Sequence, residues 1–442
     1  MLRELRVALA LLALPGCAGY APYPLPAGPN FATQPEAAAL GRSPSPLDMN
    51  AVATLAVLNN PDLRAARAQT RVADAEAFAA GILPEPQFNA NTDVPYDRVT
   101  SPRDPRYPEY HAYGFALAVD VRALLTHSTQ RDAADAAYRQ ARDEVLWKEW
   151  QTVAEARTLY VAQSIAAQRR DLLEPAADQF ALAAARSQRA LARHDVTLDQ
   201  SGADAAALAV VRAQQGIAAR DALTAEHGLH ALLGLDPQAQ LKLQPLGPPQ
   251  VPEQAAVAAA AERLPASRPD LRALREGYRS EEAHVRIAVL SQFPNVIVGI
   301  SRARDVSDVH TLGGSVSLDL PIFDGSRGDI AIQKATRQQL WAEYQARLDQ
   351  AAADVWKLWD EIHELRSELD DLDSRLPALQ QGVGNSHRGF ISGDFPAASY
   401  FISVNALLTA QSNRLDLLQS LWSDCIALAT VTGTQVQPEP TP

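Results

Sequence analysis

The chain has 442 residues, which at roughly 150 residues per domain suggests about three domains. Hydrophobic residues make up 47% and charged residues 21%, ordinary globular usage that excludes a mainly disordered, collagen-like or polytopic helical membrane chain. Forty Lys+Arg against 52 Asp+Glu give a net charge of −12, so a basic face for nucleic acid is not expected, and two cysteines cannot build a disulfide framework.

The N-terminus begins with Arg3 and Arg6, then an apolar run from Val7 to Leu14, then small residues before Cys17. This is the layout of a secretory signal, and its apolar run is too short for a permanent membrane span. Leu14-Pro15-Gly16-Cys17 resembles a bacterial lipoprotein signal, which would remove residues 1–16 as a signal peptide and leave a lipid on Cys17; an ordinary signal peptide with an incidental cysteine is the other reading. The mature chain then holds 38 basic and 51 acidic residues, a net charge of −13. Residues 17–46, rich in Pro, Gly and Ala, read as an anchor and extended tether. With Cys17 lipidated, Cys425 has no partner and reads as a small buried apolar group on a late helix.

The body of the chain is one unit written twice. Pro61-Asp62-Leu63-Arg64 returns as Pro269-Asp270-Leu271-Arg272, 208 residues on. Asp120 against Asp319, Asp195 against Asp394 and Gly234 against Gly433 keep an offset of 199. The register therefore shifts once, by nine residues, in a place where a loop absorbs it: residues 96–110 in the first copy and 303–310 in the second. The first copy spans 47–235 and the second 266–433. Between them lies a connection, 236–265, that opens with a proline-rich run, and 434–442 form a C-terminal tail.

Inside each copy the hydrophobic period changes. Tyr113, Phe115, Leu117, Val119 and Val121 alternate with Gly114, Ala116, Ala118 and Asp120. In the second copy Leu312, Gly314, Val316, Leu318 and Leu320 alternate with Gly313, Ser315, Ser317 and Asp319. Period two with one apolar and one small or polar face predicts strands. Their length suits either a tilted membrane-spanning strand or a half-buried strand of a soluble sandwich. Each pair of strands is followed by a long helical segment, roughly Arg122–Arg193 and Gly328–Arg388. At 1.5 Å per residue these reach on the order of 100 Å, more than one globule accommodates, so an elongated assembly is expected.

The segments Leu47–Arg67, Arg268–Tyr278, Phe293-Pro294-Asn295-Val296 and Leu318–Ala335, the last carrying Pro321-Ile322-Phe323-Asp324-Gly325, together resemble the TolC-like outer-membrane efflux protein family. The resemblance covers nearly the whole mature chain in both copies. It implies an α+β membrane protein with internal duplication: a long periplasmic α-helical barrel, and four β-strands per protomer contributing to a shared twelve-stranded outer-membrane β-barrel in a homotrimer. It also implies a lipid-anchored outer-membrane location and partnership with a periplasmic adaptor and an inner-membrane pump, the chain itself being the passive exit duct of a tripartite efflux system. A protein-secretion outlet uses the same duct, and a coiled-coil envelope lipoprotein without a pore is a reading from another class. Pro321–Gly328 marks the strand-to-helix transition of the second copy; its counterpart, Arg122–Gln130, lacks the proline and glycine.

The resemblance places two helix-turn-helix tips at Ala192–Asp204 and Ile391–Ser399. There Arg189, Asp195, Arg388, Gly393 and Asp394 are candidates for adaptor contact, with helix capping an equal reading for Asp195 and Asp394. Asp120 and Asp319 fall on the polar strand face, which looks into the lumen of a barrel. His227 and His230, three apart, share a helical face, but no carboxylate or cysteine converges on them and no metal is expected. Two methionines offer no soft-metal relay. The chain has no GxxxxGK[ST], GxSxG or HExxH pattern, so no enzymatic activity and no cofactor beyond the lipid is expected.

Overall fold

The structure is a computed structural model, and it describes residues 19–32, 46–94, 110–392, 394 and 397–433. The expected signal peptide, Cys17, Gly393 and the tail at 434–442 lie outside the described residues. In chain order the elements are α1 (Met49–Asn59), α2 (Pro61–Ala80), β1 (Gln87–Asp93), β2 (Ala112–Asp120), α3 (Val121–Ala192), α4 (Leu198–Leu232), α5 (Gln254–Glu262) and α6 (Leu264–Ser267). They continue with α7 (Pro269–Leu290), β3 (Asn295–Arg304), β4 (His310–Asp319), α8 (Arg327–Ser392) and α9 (Ala397–Thr432).

The two longest helices, α3 with 72 residues and α8 with 66, run to about 108 and 99 Å at 1.5 Å per residue. Each contains one proline, Pro175 and Pro377, and continues through it. No helix among the described residues is long and apolar enough to cross a membrane. The first strand-to-helix transition is sharper than the sequence suggested. Helix α3 starts at Val121, directly after β2, so Arg122–Gln130 is already helical. Asp120 makes this possible by accepting the Ala123 amide at 2.9 Å, a side-chain N-cap. In the second copy residues 320–326 intervene, turning through Gly325 and Ser326, whose φ values are 57° and 56°.

Short helices complete the long ones. In the half next to the strands, α2, α3, α7 and α8 lie side by side in that order; in the far half the order is α4, α3, α9 and α8. Helix α4 ends against the start of α2, and α9 against the start of α7, so each short pair forms one interrupted rod beside a long helix. In place of the three domains suggested by length, the strands of both sequence copies share one sheet and their helices pack beside one another.

Two apolar clusters hold the middle of the rods. One joins α1, α3 and α4 through Val52, Leu55, Tyr160, Leu229 and Leu233. The other joins α3, α8 and α9 through Val161, Ile165, Val355, Ile362, Leu421 and Trp422. The inter-repeat connection crosses both: the Tyr160 hydroxyl donates to the Gln244 carbonyl at 2.7 Å and the Trp422 indole to the Gly247 carbonyl at 2.9 Å. Cys425 lies in the second cluster at 1% exposure, and burial pushes its thiol pKa up to about 12. A third cluster, with Leu173, Phe180, Val211 and Leu408, ties α3, α4 and α9 together toward the far end.

All four strands form one antiparallel sheet in the order β1-β2-β3-β4, so the two hairpins of the two copies join through β2 and β3. Strands β1 and β4 are left with unpaired outer edges among the described residues.

Candidate functional site

The pairing register sorts the sheet into two faces. One carries five rows: Val296-Leu318; Val119-Val298-Val316; Phe88-Leu117-Ile300-Gly314; Ala90-Phe115-Arg302-Leu312; and Thr92-Tyr113-Arg304-His310. The opposite face carries Gln87, Asn89, Asn91 and Asp93 on β1, Gly114, Ala116, Ala118 and Asp120 on β2, Ser301 and Ala303 on β3, and Ser315, Ser317 and Asp319 on β4. Ile297 is the one large apolar residue there. The apolar face is open: Phe88 is 66%, Ile300 64%, Leu312 84% and Val316 68% exposed. Rows two residues apart are about 6.6 Å apart along the strands, so five rows extend about 26 Å, the scale of a membrane-barrel band. A soluble sandwich would cover this face with a second layer, and the described residues supply none.

On the polar face the backbone is crowded. A methyl group on Gly299 would come within 2.7 Å of the Ser315 hydroxyl and 3.0 Å of the Leu117 carbonyl, so small residues are needed there. Asp120 and Asp319 lie on this face, at the strand ends next to the helices. Asp120 has a structural duty as well: besides capping α3 it accepts from the Asn295 amide at 3.0 Å, fixing β3 to the start of the helix. Asp319 is exposed and lies opposite Asn295 in the register.

The helices next to the sheet are joined by ion pairs, most of them with a buried carboxylate. On α3, Asp143 accepts Arg272 of α7 at 2.8 Å, and Arg139 reaches Glu276 at 2.8 Å. On α7, Arg268 binds Asp270 with two bonds of 2.9 and 2.7 Å and stacks on Trp147 of α3 at 5.0 Å. Arg67 of α2 reaches Glu149 of α3 at 2.6 Å. Removing Arg272, Arg139 or Arg268 would take a partner from a buried carboxylate, Asp143, Glu276 or Asp270, which is costly; together with the half-exposed Arg67–Glu149 pair these contacts fix the lateral order of the rods. Apart from Arg268 and Asp270, these partners are far apart in sequence, and only the Arg-Pro-Asp-Leu-Arg wording at Arg268–Arg272 hinted at them.

At the far end, α3 turns into α4 over Arg193–Thr197. His194 has φ 62°, the His194 amide donates to the Leu191 carbonyl at 3.0 Å and the Asp195 amide to the Ala190 carbonyl at 2.9 Å, closing the helix. The capping reading of Asp195 does not hold. Thr197 caps α4, accepting the Gln200 amide at 3.3 Å, while Asp195 pairs with Arg193 at 3.4 Å in the open. Arg189 is exposed and donates to the Ala185 carbonyl. In the second tip Arg388 donates to Asn385 at 2.5 Å, and Asp394 accepts from the Ser392 hydroxyl at 2.6 Å. Both tips thus present charged, solvent-facing side chains. Between them lies a cavity of about 420 Å³, walled by Leu182, Arg186, Asp204, Phe390, Tyr400 and Phe401, with the Phe390 and Tyr400 rings stacked at 5.8 Å.

The two histidines do not share one environment. His230 is 2% exposed, with no hydrogen-bond partner on either ring nitrogen among the described residues, while His227 faces solvent, its ring 6.2 Å away. Among the described residues no three His, Cys, Asp or Glu side chains converge as a metal site.

No protein-family model matches the chain, and no curated protein matches it in sequence. Solved structures do match it along nearly its whole length. The outer-membrane channel OprN is 18% identical with a TM-score of 0.74, covering 96% of this chain and 100% of its own. The CmeC outer membrane channel of Campylobacter jejuni is 14% identical with a TM-score of 0.73, covering 94% and 95%. The outer membrane protein VceC of Vibrio cholerae is 17% identical with a TM-score of 0.72, covering 88% and 97%. The chain therefore has the fold of these outer-membrane channels, with its four antiparallel strands and long helices.

Proposed function

We propose that this protein is the outer-membrane exit duct of a tripartite efflux system, a passive channel rather than an enzyme. The observation that carries the reading is the sheet: four strands with an open apolar face, a polar opposite face and two unpaired edges, set on rods about 100 Å long, in a chain folded like outer-membrane channels from end to end.

In lipid every backbone N–H and C=O needs a partner, so a four-stranded sheet with free edges cannot stand alone. Three copies, each joining its β1 edge to the β4 edge of the next, would close twelve strands into one barrel. The apolar rows then meet lipid, and the face with Asn89, Ser301, Ser315 and Asp319 lines the water-filled lumen. The ion pairs between helices keep the rods in order below the barrel, so that they continue the lumen as a helical tube through the periplasm. The tips that carry Arg189, Asp195, Arg388, Gly393 and Asp394 in the sequence would meet a periplasmic adaptor that couples the duct to an inner-membrane pump. A lipid on Cys17 would add an anchor at the membrane face; acyl chains contribute about 0.8 kcal/mol per buried methylene.

Conductance of the purified protein in planar bilayers tests the duct, together with its mass in detergent. Discrete channels from a species of three chains are expected; a monomer that conducts under no condition would overturn the proposal. Exchange of Arg189, Asp195, Arg388 and Asp394 for alanine together is expected to leave conductance present and to abolish adaptor co-purification.

A further inference from the structure

The apolar face of the sheet changes character toward the hairpin end. Its first three rows hold only apolar side chains and one glycine, whereas the last two bring Arg302, Arg304, His310 and Tyr113 onto the same face. Arg304 is already engaged. It lies 2.6 Å from the Asp308 carboxylate, an ion pair without hydrogen-bond alignment, and its guanidinium sits 4.3 Å over the Tyr110 ring. Arg302 is different: it is exposed, it stands between Phe115 and Leu312 in its row, and it has no ion pair or hydrogen bond among the described residues. Strand β3 is paired on both sides within the chain, so no neighbouring copy pairing at β1 or β4 would reach the strand that carries it.

An unpaired guanidinium within an open apolar face is unfavourable in hydrocarbon unless it reaches the polar boundary and finds an anion there. The planar fork of Arg matches a phosphate group with two parallel bonds. Phe115 and Leu312 on either side offer apolar surface to acyl chains, and the Arg304–Tyr110 shelf one row outward extends the basic character. From these placements we infer that Arg302, supported by Arg304, binds the phosphate of a lipid headgroup on the outer side of the sheet. The inference rests on the proposed barrel only in that the apolar face meets lipid.

Native mass spectrometry of the full-length protein tests it, with diphosphoryl lipid A and its dephosphorylated form as probes in otherwise uncharged detergent. The wild type is expected to retain the diphosphorylated lipid, and Arg302→Gln to retain about tenfold less, the scale of losing one strong charge-assisted contact; Arg302→Lys falls between them. Inorganic phosphate at millimolar concentration is expected not to displace the lipid, because it lacks the acyl contacts. Equal retention by wild type and Arg302→Gln, equal retention of the dephosphorylated lipid, or full displacement by inorganic phosphate would each overturn the lipid site. The same preparations are assayed for conductance. Channels without a retention difference sink the lipid site and leave the duct standing; a retention difference without channels does the reverse.

Discussion

Gly234 and Gly433 end their helices in the same left-handed conformation, with φ of 60° and 70°, and a methyl group on either would come within 3.1 Å of a carbonyl oxygen, that of Asn59 for one and of Ser267 for the other. The glycines are 199 residues apart and the carbonyls 208. The nine-residue difference between the copies is spent in a hairpin loop, and the packing of one rod end on the next is preserved. In each case the chain leaves the helix through a conformation that L side chains adopt at a cost, in a space that admits no Cβ.

Gly234→Ala and Gly433→Ala are each expected to destabilise the protein by about 1–2 kcal/mol, the penalty of a left-handed alanine, with further loss from the close carbonyl. Urea unfolding followed by circular dichroism checks this. Alanine at Gly202, which is exposed within α4 with open space around it, should not destabilise, since helical Gly is less favourable than Ala.

The Cys425 thiol is expected to resist alkylation in the folded protein, because it is 1% exposed and its pKa is pushed up to about 12, by burial first and by Asp424 second. Maleimide labelling followed by intact mass measures it. No adduct is expected under native conditions and one per chain in denaturant; two adducts in denaturant would show that Cys17 carries a free thiol and would count against the lipid anchor.

Glu281 on α7 is 8% exposed, and one carboxylate oxygen has no hydrogen-bond partner among the described residues. Burial raises its pKa above the ordinary 4.5, with nearby His284 opposing. The folded state therefore holds the proton more tightly than the unfolded one. That contribution is fully present below the unfolded pKa and is lost as pH rises through the folded pKa. Glu281→Gln is expected to gain about 1 kcal/mol at pH 7, of the order of an unsatisfied buried polar group, and to gain nothing below about pH 4. Unfolding midpoints at the two pH values decide it: an equal gain at both would mean that charge is not the cause.

Local signals made much of this fold legible. Alternation in β2 and β4 and the long runs of helix formers gave the hairpins and rods, and the repeated wording gave the duplication. What stayed hidden depended on contacts between distant residues. The pairing of β2 with β3, the Asp143–Arg272 pair 129 residues apart, and the end-to-end seating of α4 on α2 leave no periodic trace. At the first tip, Asp195 and Thr197 are both good capping residues; the helix-closing bonds draw the Asp195 amide back to Ala190, which leaves Thr197 at the boundary of α4. The Arg302 position escaped notice because β3 alternates less cleanly, with Ile297 on the polar face and two arginines on the apolar one.

The face assignment itself has a direct test. Val298 and Ser315 belong to adjacent strands but to opposite faces, Val298 opposite Val119 and Val316, and Ser315 opposite Gly299. If the apolar rows meet lipid, Val298→Lys places an ammonium in the second of the five rows, within the apolar band, at a cost of up to about 2–4 kcal/mol. On the other face the neighbours are small, so Ser315→Lys would need room as well as water; Ser317→Lys, opposite Ile297 and nearer the sheet's end, is the gentler comparison. The expected result is that Val298→Lys sharply lowers the yield of assembled protein in outer-membrane fractions, whereas Ser317→Lys assembles normally and alters the cation-to-anion preference of the pore toward anions, since an added lumenal positive charge repels cations. Should Val298→Lys assemble as well as the wild type while Ser317→Lys fails, the two faces would have to be exchanged, and Asp120 and Asp319 would then face lipid.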